Sequence, residues 1–381
     1  MRGMQVVVGV LLALGFGCAA AAEDGGMKHV KVCFEKGRFA GWPANHGIWS
    51  WGDEILVGFS RGWHKNLGPK FHNIDREKPE EHLLARSLDG GETWTIENPA
   101  EKGQLIPQGR GALHGTETPG RTAPEPRACP GGINFTHPDF CMTLRMANIQ
   151  GGPSRFYYSY DRGRNWEGPF RLPAFTAHGT AARTSYLVEG KHECLLFLTG
   201  AKRDGGEGRP FCARTRDGGA TWDFVSWIGR EPRGYAIMPS AARLSATDLF
   251  TVIRRRDGAP GWLSAYLSRD NGASWKKMAD PVSYLGTGNP PSLLRLKDGR
   301  LCLMYGYRAE PFSMRARISA DGGVSWGAEI ILRDDGAGTD IGYPASVQRT
   351  DGRVVTTYYF HDKTSGPERY IGATIWDPSK Y

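Results

Sequence analysis

The sequence predicts an all-β chain folded as a six-bladed β-propeller of four-stranded antiparallel blades. Three observations predict it. A short hairpin motif recurs five times along the chain. Its last three copies lie 53 and 51 residues apart, measured between Asp217, Asp270 and Asp321, and that is the length of one four-stranded blade. The 381 residues include 52 Gly, 24 Pro and 12 Trp, a mix suited to short strands, tight turns and large aromatics between packed sheets.

The motif reads Ser/Thr, any residue, Asp, any residue, Gly, any residue, Thr/Ser/Asn, Trp. Its copies begin at Ser87, Ser159, Thr215, Ser268 and Ser319. The aspartates are Asp89, Asp161, Asp217, Asp270 and Asp321. Each Asp can accept hydrogen bonds from backbone amides a few residues on and so close a turn. The glycine supplies a positive φ, and the tryptophan opens the next strand and packs on a neighbouring sheet. The role of these aspartates is therefore structural.

A second repeat precedes each hairpin. It is an apolar strand that starts beside a polar residue, at 45–49, 136–140, 183–187, 238–242, 289–294 and 343–347. These six segments are expected to be the innermost strands. The sixth blade has no intact hairpin motif, and strand 29–34 is expected to supply its outer strand. Closing the ring in this way removes exposed sheet edges. A Pro/Gly-rich insertion at 97–132 lengthens the first interval.

Residues 1–22 read as an export signal, with Arg2, an apolar run at 6–16 and a small-residue stretch at 20–22. Residues 23–381 then form one domain, expected to be secreted or periplasmic. Cys18 offers an alternative, lipid attachment. No integral membrane segment is expected, because the apolar run is too short to be one. Six cysteines remain in the mature chain, and an exported protein can form disulfides. Their pairing is not readable, and Cys194 and Cys302, inside apolar strands, read as buried thiols.

The formal net charge of +8 favours encounter with an anionic ligand. No long Lys/Arg run supports nucleic-acid binding, since Arg254, Arg255 and Arg256 are followed at once by Asp257. The cysteine and histidine spacings fit no metal signature, so no cofactor is expected. A structural Ca²⁺ held by loop oxygens stays open. The chain is expected to act as a monomer.

In a propeller the starts of the innermost strands and the ends of the second strands share one face. The hairpin motifs turn at the other. The starts contribute His46, His137, Asp139, Arg183, Asn289, Asp340 and Tyr343, and the ends contribute Arg61, His64, Arg145, Lys202, Arg254, Arg308 and His361. Such a pocket is cationic and suits a sugar bearing a carboxylate, since arginine offers carboxylate oxygens a planar fork.

The five motif copies and the blade count resemble the sialidase superfamily, whose hairpins are called Asp boxes. The resemblance covers most of 29–377. It implies an exo-glycosidase that cleaves a terminal, sialic-acid-like sugar, with an arginine triad on the carboxylate, a tyrosine nucleophile and an aspartic acid/base. Tyr343 resembles the nucleophile, while Arg38, Arg254 and Arg308 resemble the three arginines. The match is partial. The family's Arg-Ile-Pro signature is replaced by Arg38-Phe39-Ala40, and Met238-Pro239 stands where the tyrosine's partner Glu belongs. A second reading therefore stands beside the first, a histidine-dependent lyase or glycosidase acting on uronate- or rhamnose-containing polysaccharide. It would use His46 as acid or base, with His137 and Asp139 as further candidates. A third is a non-catalytic glycan-binding propeller.

Overall fold

The computed structural model describes residues 22–24, 26–69, 71–108, 120–258 and 260–381. The expected export signal, Cys18 and part of the insertion lie outside the described residues. Six antiparallel sheets form the six blades of a β-propeller. Blades IV and V have four strands each, the former running Tyr235–Arg243, Leu249–Arg256, Gly261–Ser268 and Lys276–Lys277. In blade VI the N-terminal strand Met27–Cys33 pairs with Tyr370–Trp376 and closes the ring. Among the described residues no helix is long and apolar enough to cross a membrane.

The Asp boxes behave as their composition dictates. In the first, Asp89 Oδ1 accepts from the Thr93 amide at 2.9 Å, and the Gly91 amide donates to Ser87 Oγ at 2.7 Å. The same bonds recur through Asp161, Asp217, Asp270 and Asp321. Gly91, Gly163, Gly219, Gly272 and Gly323 all have φ between +77° and +96°, where a Cβ would be strained. The box tryptophans then staple each blade to the one before it. Trp166 packs on Trp49, Trp222 on Phe156, Trp275 on Phe197 and Trp326 on Phe250, with centroids 5.8–6.3 Å apart. Such aromatic pairs add roughly 0.5–1.5 kcal/mol each beyond the area they bury. The six described cysteines are buried and unbridged.

Blade II departs from the expected pattern. Among the described residues it has three strands, Cys141–Met146, Ser154–Ser159 and Glu167–Arg171, and no innermost strand. The segment expected there, 136–140, is a pair of tight turns instead. The His137 amide donates to Asn134 O, the Phe140 amide donates to His137 O, and Pro138 has no amide to give to a ladder. The gap at the axis is filled from both sides. In blade I the inner strand is broken into Arg38–Gly41 and Ile48–Trp51 by the helical turn Pro43–His46. In blade III it is broken into Thr180–Ala181 and Tyr186–Val188. The Thr184 amide donates to Asn45 O at 3.2 Å, and Thr143 Oγ1 donates to His46 O at 2.8 Å. Gly58 permits this closure, because a Cβ there would stand 2.7 Å from the Cβ of His46.

Candidate active site

A cavity of about 230 Å³ opens on the face where the innermost strands begin, opposite the Asp boxes. A larger one of about 360 Å³ follows the axis between the inner strands and is lined mainly by Pro, Ser, Ala and apolar side chains. The chemistry lies in the smaller cavity.

Tyr343 forms one wall. It has φ +51°, rare for a bulky residue, and it precedes Pro344, which disfavours the helical region. Trp42 before Pro43 and Met238 before Pro239 share the positive φ, at +62° and +55°. In blades IV and VI the ladder register shifts at these points. The strain at Tyr343 is held in place by Asn289, which is fully buried. Asn289 Oδ1 accepts from the Tyr343 amide at 2.9 Å, and its Nδ2 donates to Ile341 O at 2.8 Å. Gly342 makes room for it, since a Cβ there would lie 2.2 Å from Asn289 Nδ2.

Arg254 Nη1 donates to the Tyr343 hydroxyl at 3.0 Å. Burial opposes the Arg254 charge, but Tyr343, Tyr235 and Glu207 outweigh it and keep the guanidinium ionised. Arg308 stands behind the ring, with its guanidinium carbon 5.5 Å from the ring centroid. Its Nε donates to Ile341 O at 2.9 Å and its Nη2 to the Tyr359 hydroxyl at 2.6 Å. Asp340 lies in the same layer, bonded to His72 Nδ1 and the Tyr359 hydroxyl at 2.6 Å each and paired with Arg369 at 3.1 Å. Burial alone would raise the Asp340 carboxyl, but His72, Arg369 and Arg308 prevail and hold it well below the usual carboxylate range. Arg308, Asn289 and Asp340, expected on the cavity wall, thus form a layer that positions Tyr343.

Blade I supplies the opposite wall. His46, on the helical turn, is 2% exposed and sits 3.0 Å from Ser60 Oγ. The Ser60 hydroxyl also bonds to Glu80. Glu80 is paired with Arg76 at 2.8 Å. Burial nevertheless exceeds these interactions and raises the Glu80 carboxyl above its ordinary value. The His82 ring meets His46 edge-on, with centroids 4.8 Å apart. Glu80, Ser60 and His46 therefore form a hydrogen-bonded chain along the wall. Nothing in the sequence marked Glu80, which follows an irregular loop. Only the strand Glu81–Ser87 after it fixes its direction.

Blades II and III complete the cavity with Arg145, Arg183 and Glu207. Arg183 Nη2 reaches Glu207 Oε1 at 3.4 Å. Glu207, at the start of the strand Glu207–Thr215, was also missed. Its proximity to Arg183 and Arg254 comes from three different blade positions and has no local signature.

Four expected residues lie elsewhere. Arg38 and Arg61 share Glu81, at 2.7 and 2.9 Å, and Arg38 also stacks 4.3 Å over Trp63. Their charges are neutralised at the rim of blade I. His137 and Asp139 are on the Asp-box face, because the strand expected to carry them does not form. Asp139 pairs with Arg162 of the second box at 2.6 Å, and His137 packs on Tyr160. Among the described residues no group of three or more His, Cys, Asp or Glu converges to hold a metal ion.

A ring of Asp-box blades around a strongly polar axial cavity defines the class as a BNR-type β-propeller. Residues 140–356, more than half of the chain, match the model of the BNR repeat-like domain. The chain belongs to that family. No curated protein matches it. Among solved structures, a protein of unknown function from Dyadobacter fermentans is similar at 23% identity and a TM-score of 0.66, over 92% of this chain and 99% of that one. The NanB sialidase from Streptococcus pneumoniae is similar at 11% identity and a TM-score of 0.57, over 88% of this chain and 69% of that one. The α-L-arabinofuranosidase Arb93A from Fusarium graminearum is similar at 15% identity and a TM-score of 0.56, over 92% and 99%. At these identities the likeness is one of fold.

Proposed function

We propose that the chain is an exo-glycosidase that removes a terminal, carboxylate-bearing sugar of the sialic-acid type. The observation that carries this reading is the Tyr343 hydroxyl, bonded to Arg254 in the wall of the cavity and held there at a strained φ. Strain of this kind concentrates at functional sites. Cations at the hydroxyl and behind the ring favour negative charge developing on the oxygen. Tyr343 Oη bonds to the anomeric carbon as the glycosidic C–O bond breaks. The leaving oxygen takes its proton from Glu80, whose raised carboxyl suits a general acid. The tyrosine proton passes to Glu207, within electrostatic reach of Arg254. Water then releases the sugar by the reverse transfers. Glu80 and Glu207 thus take the places of the family's aspartic acid/base and of the Glu that Met238-Pro239 replaces.

The Glu80–Ser60–His46 chain favours a second reading, a lyase acting on uronates with His46 as base. One assay separates the two. A fluorogenic α-sialoside is offered to the chain and to Tyr343→Phe, beside uronate oligosaccharides read at the absorbance of an unsaturated uronate. Sialoside cleavage that Tyr343→Phe abolishes supports the first reading. Uronate cleavage that needs His46, without sialoside cleavage, moves the chain to the second. Silence on both leaves a glycan-binding propeller. The export reading of residues 1–22 is tested by fractionating the expressing cell.

A further inference from the structure

The arginines around the cavity differ in how many of their donors the protein already uses. Arg38 and Arg61 are paired with Glu81 and Glu35. Arg308 donates to Ile341 O and the Tyr359 hydroxyl, and Arg254 Nη1 donates to Tyr343, while Arg254 Nε has no acceptor. On the wall built by blades II and III two buried arginines keep unused donors and have little or no carboxylate pairing. Arg145 is 5% exposed and donates through Nη1 to the Thr143 hydroxyl and to Leu144 O at 3.1 Å. Its Nε has no acceptor, and among the described residues no carboxylate pairs with it. Arg183 is 7% exposed, and its Nε and Nη1 also lack acceptors. Its one partner is Glu207, at the long distance of 3.4 Å. Buried donors without partners are rare in folded proteins and ask for an explanation.

We infer that the anionic group of the sugar is seated by Arg145 and Arg183, on the blade II–III wall. This rests on the reading of the cavity as a sugar site. Two guanidinium edges with unspent N–H groups match the paired oxygens of a carboxylate. Burial, reinforced by the neighbouring Arg155, pushes Arg145 down to about 9, the cost of holding a buried cation without a counter-ion. The fold explains why the seat is there. Arg145 lies on the second strand of blade II and reaches the axis because that blade has no inner strand.

The test is a binding measurement, independent of turnover. The full chain is titrated by calorimetry with N-acetylneuraminic acid and D-glucuronic acid, and with the methyl ester of each. The inference expects at least one acid to bind more tightly than its ester. Arg145→Met is expected to weaken that acid about tenfold, leave the ester unchanged, and so erase the preference. Arg145→Lys is expected to restore part of it. No preference for either acid in the unaltered chain overturns the seat, as does a folded Arg145→Met that keeps the preference. Should Arg145→Met fail to fold, Arg183→Gln gives the same readout with the same two outcomes. Acid preference without any hydrolysis would refute the glycosidase reading and keep the seat. Hydrolysis of an acidic sugar without Arg145 dependence would do the opposite.

Discussion

Arg254 and Tyr343 come from blades IV and VI and meet across the axis, with Nη1 donating to the phenolic oxygen at 3.0 Å. They are 89 residues apart in sequence. Replacing Arg254 by Gln removes the cation at the hydroxyl but keeps a donor. Turnover is expected to fall by about a hundredfold or more, the scale of losing one preorganised electrostatic contact in an active site. Comparison of kcat with KM for both proteins checks this. A rise in KM with unchanged kcat would place Arg254 with the substrate and not with the tyrosine.

Asn289 reaches no part of the cavity, yet it holds the Tyr343 amide and Ile341 O. Asn289→Ala leaves both buried groups without their partner, which costs about 1–3 kcal/mol. The variant is expected to melt lower and to lose kcat with little change in KM, because the tyrosine is released from its strained position. Equal kcat in the two proteins would show that the tyrosine holds its φ without Asn289.

Glu80 gives a pH-dependent prediction. Its carboxyl is raised in the folded chain, chiefly by burial. The acid form is therefore present at low pH and lost as pH rises through the folded value. Activity that depends on it falls on that alkaline side, and Glu80→Gln is expected to lose turnover at every pH together with that limb. Stability follows the same sign. A raised folded pKa contributes stability below the unfolded value of about 4.3, and this is lost as pH rises through the folded value. The Tm of Glu80→Gln relative to the unaltered chain is expected to rise with pH over that window. A Tm difference that is flat with pH would contradict the raised carboxyl.

The Asp boxes are expected to affect stability without affecting chemistry. In the fifth box the Ser325 hydroxyl and amide, with Ser319, hold Asp321 down at about 2. Asp321→Ala removes these bonds at an exposed turn and so loosens the hairpin. A lower Tm with unchanged kcat and KM is expected, and denaturant unfolding beside steady-state kinetics reads both. A change in KM would tie the box to the distant cavity.

Much of the architecture was legible because its signals are local. The Asp box needs Asp, Gly and Trp at fixed offsets, so the hairpins were visible as text. The closing strand 29–34 was found by elimination, and it pairs as Met27–Cys33. Tyr343, Arg183, Arg254 and His46 were placed on the right face because each sits at a strand terminus whose side is set by blade periodicity. Blade II broke that reasoning. A polar start before an apolar stretch looks the same at 136–140 as at 183–187, but only the second contributes to an inner strand.

By itself the sequence determined the fold class, the blade count and the turn chemistry, since these rest on contacts within a few residues. The tertiary structure alone decided which charges remain available. Arg38 and Arg308 look like free arginines in sequence, and one is paired with Glu81 while the other donates to a carbonyl and a tyrosine. Arg145 is placed by the sequence among the second-strand ends facing the pocket, but only the tertiary structure makes it a buried cation without a counter-ion, because among the described residues blade II has no inner strand and blades I and III close over the gap. Pairing between charges depends on which distant strands share an axis, and that distance is set only when the ring closes.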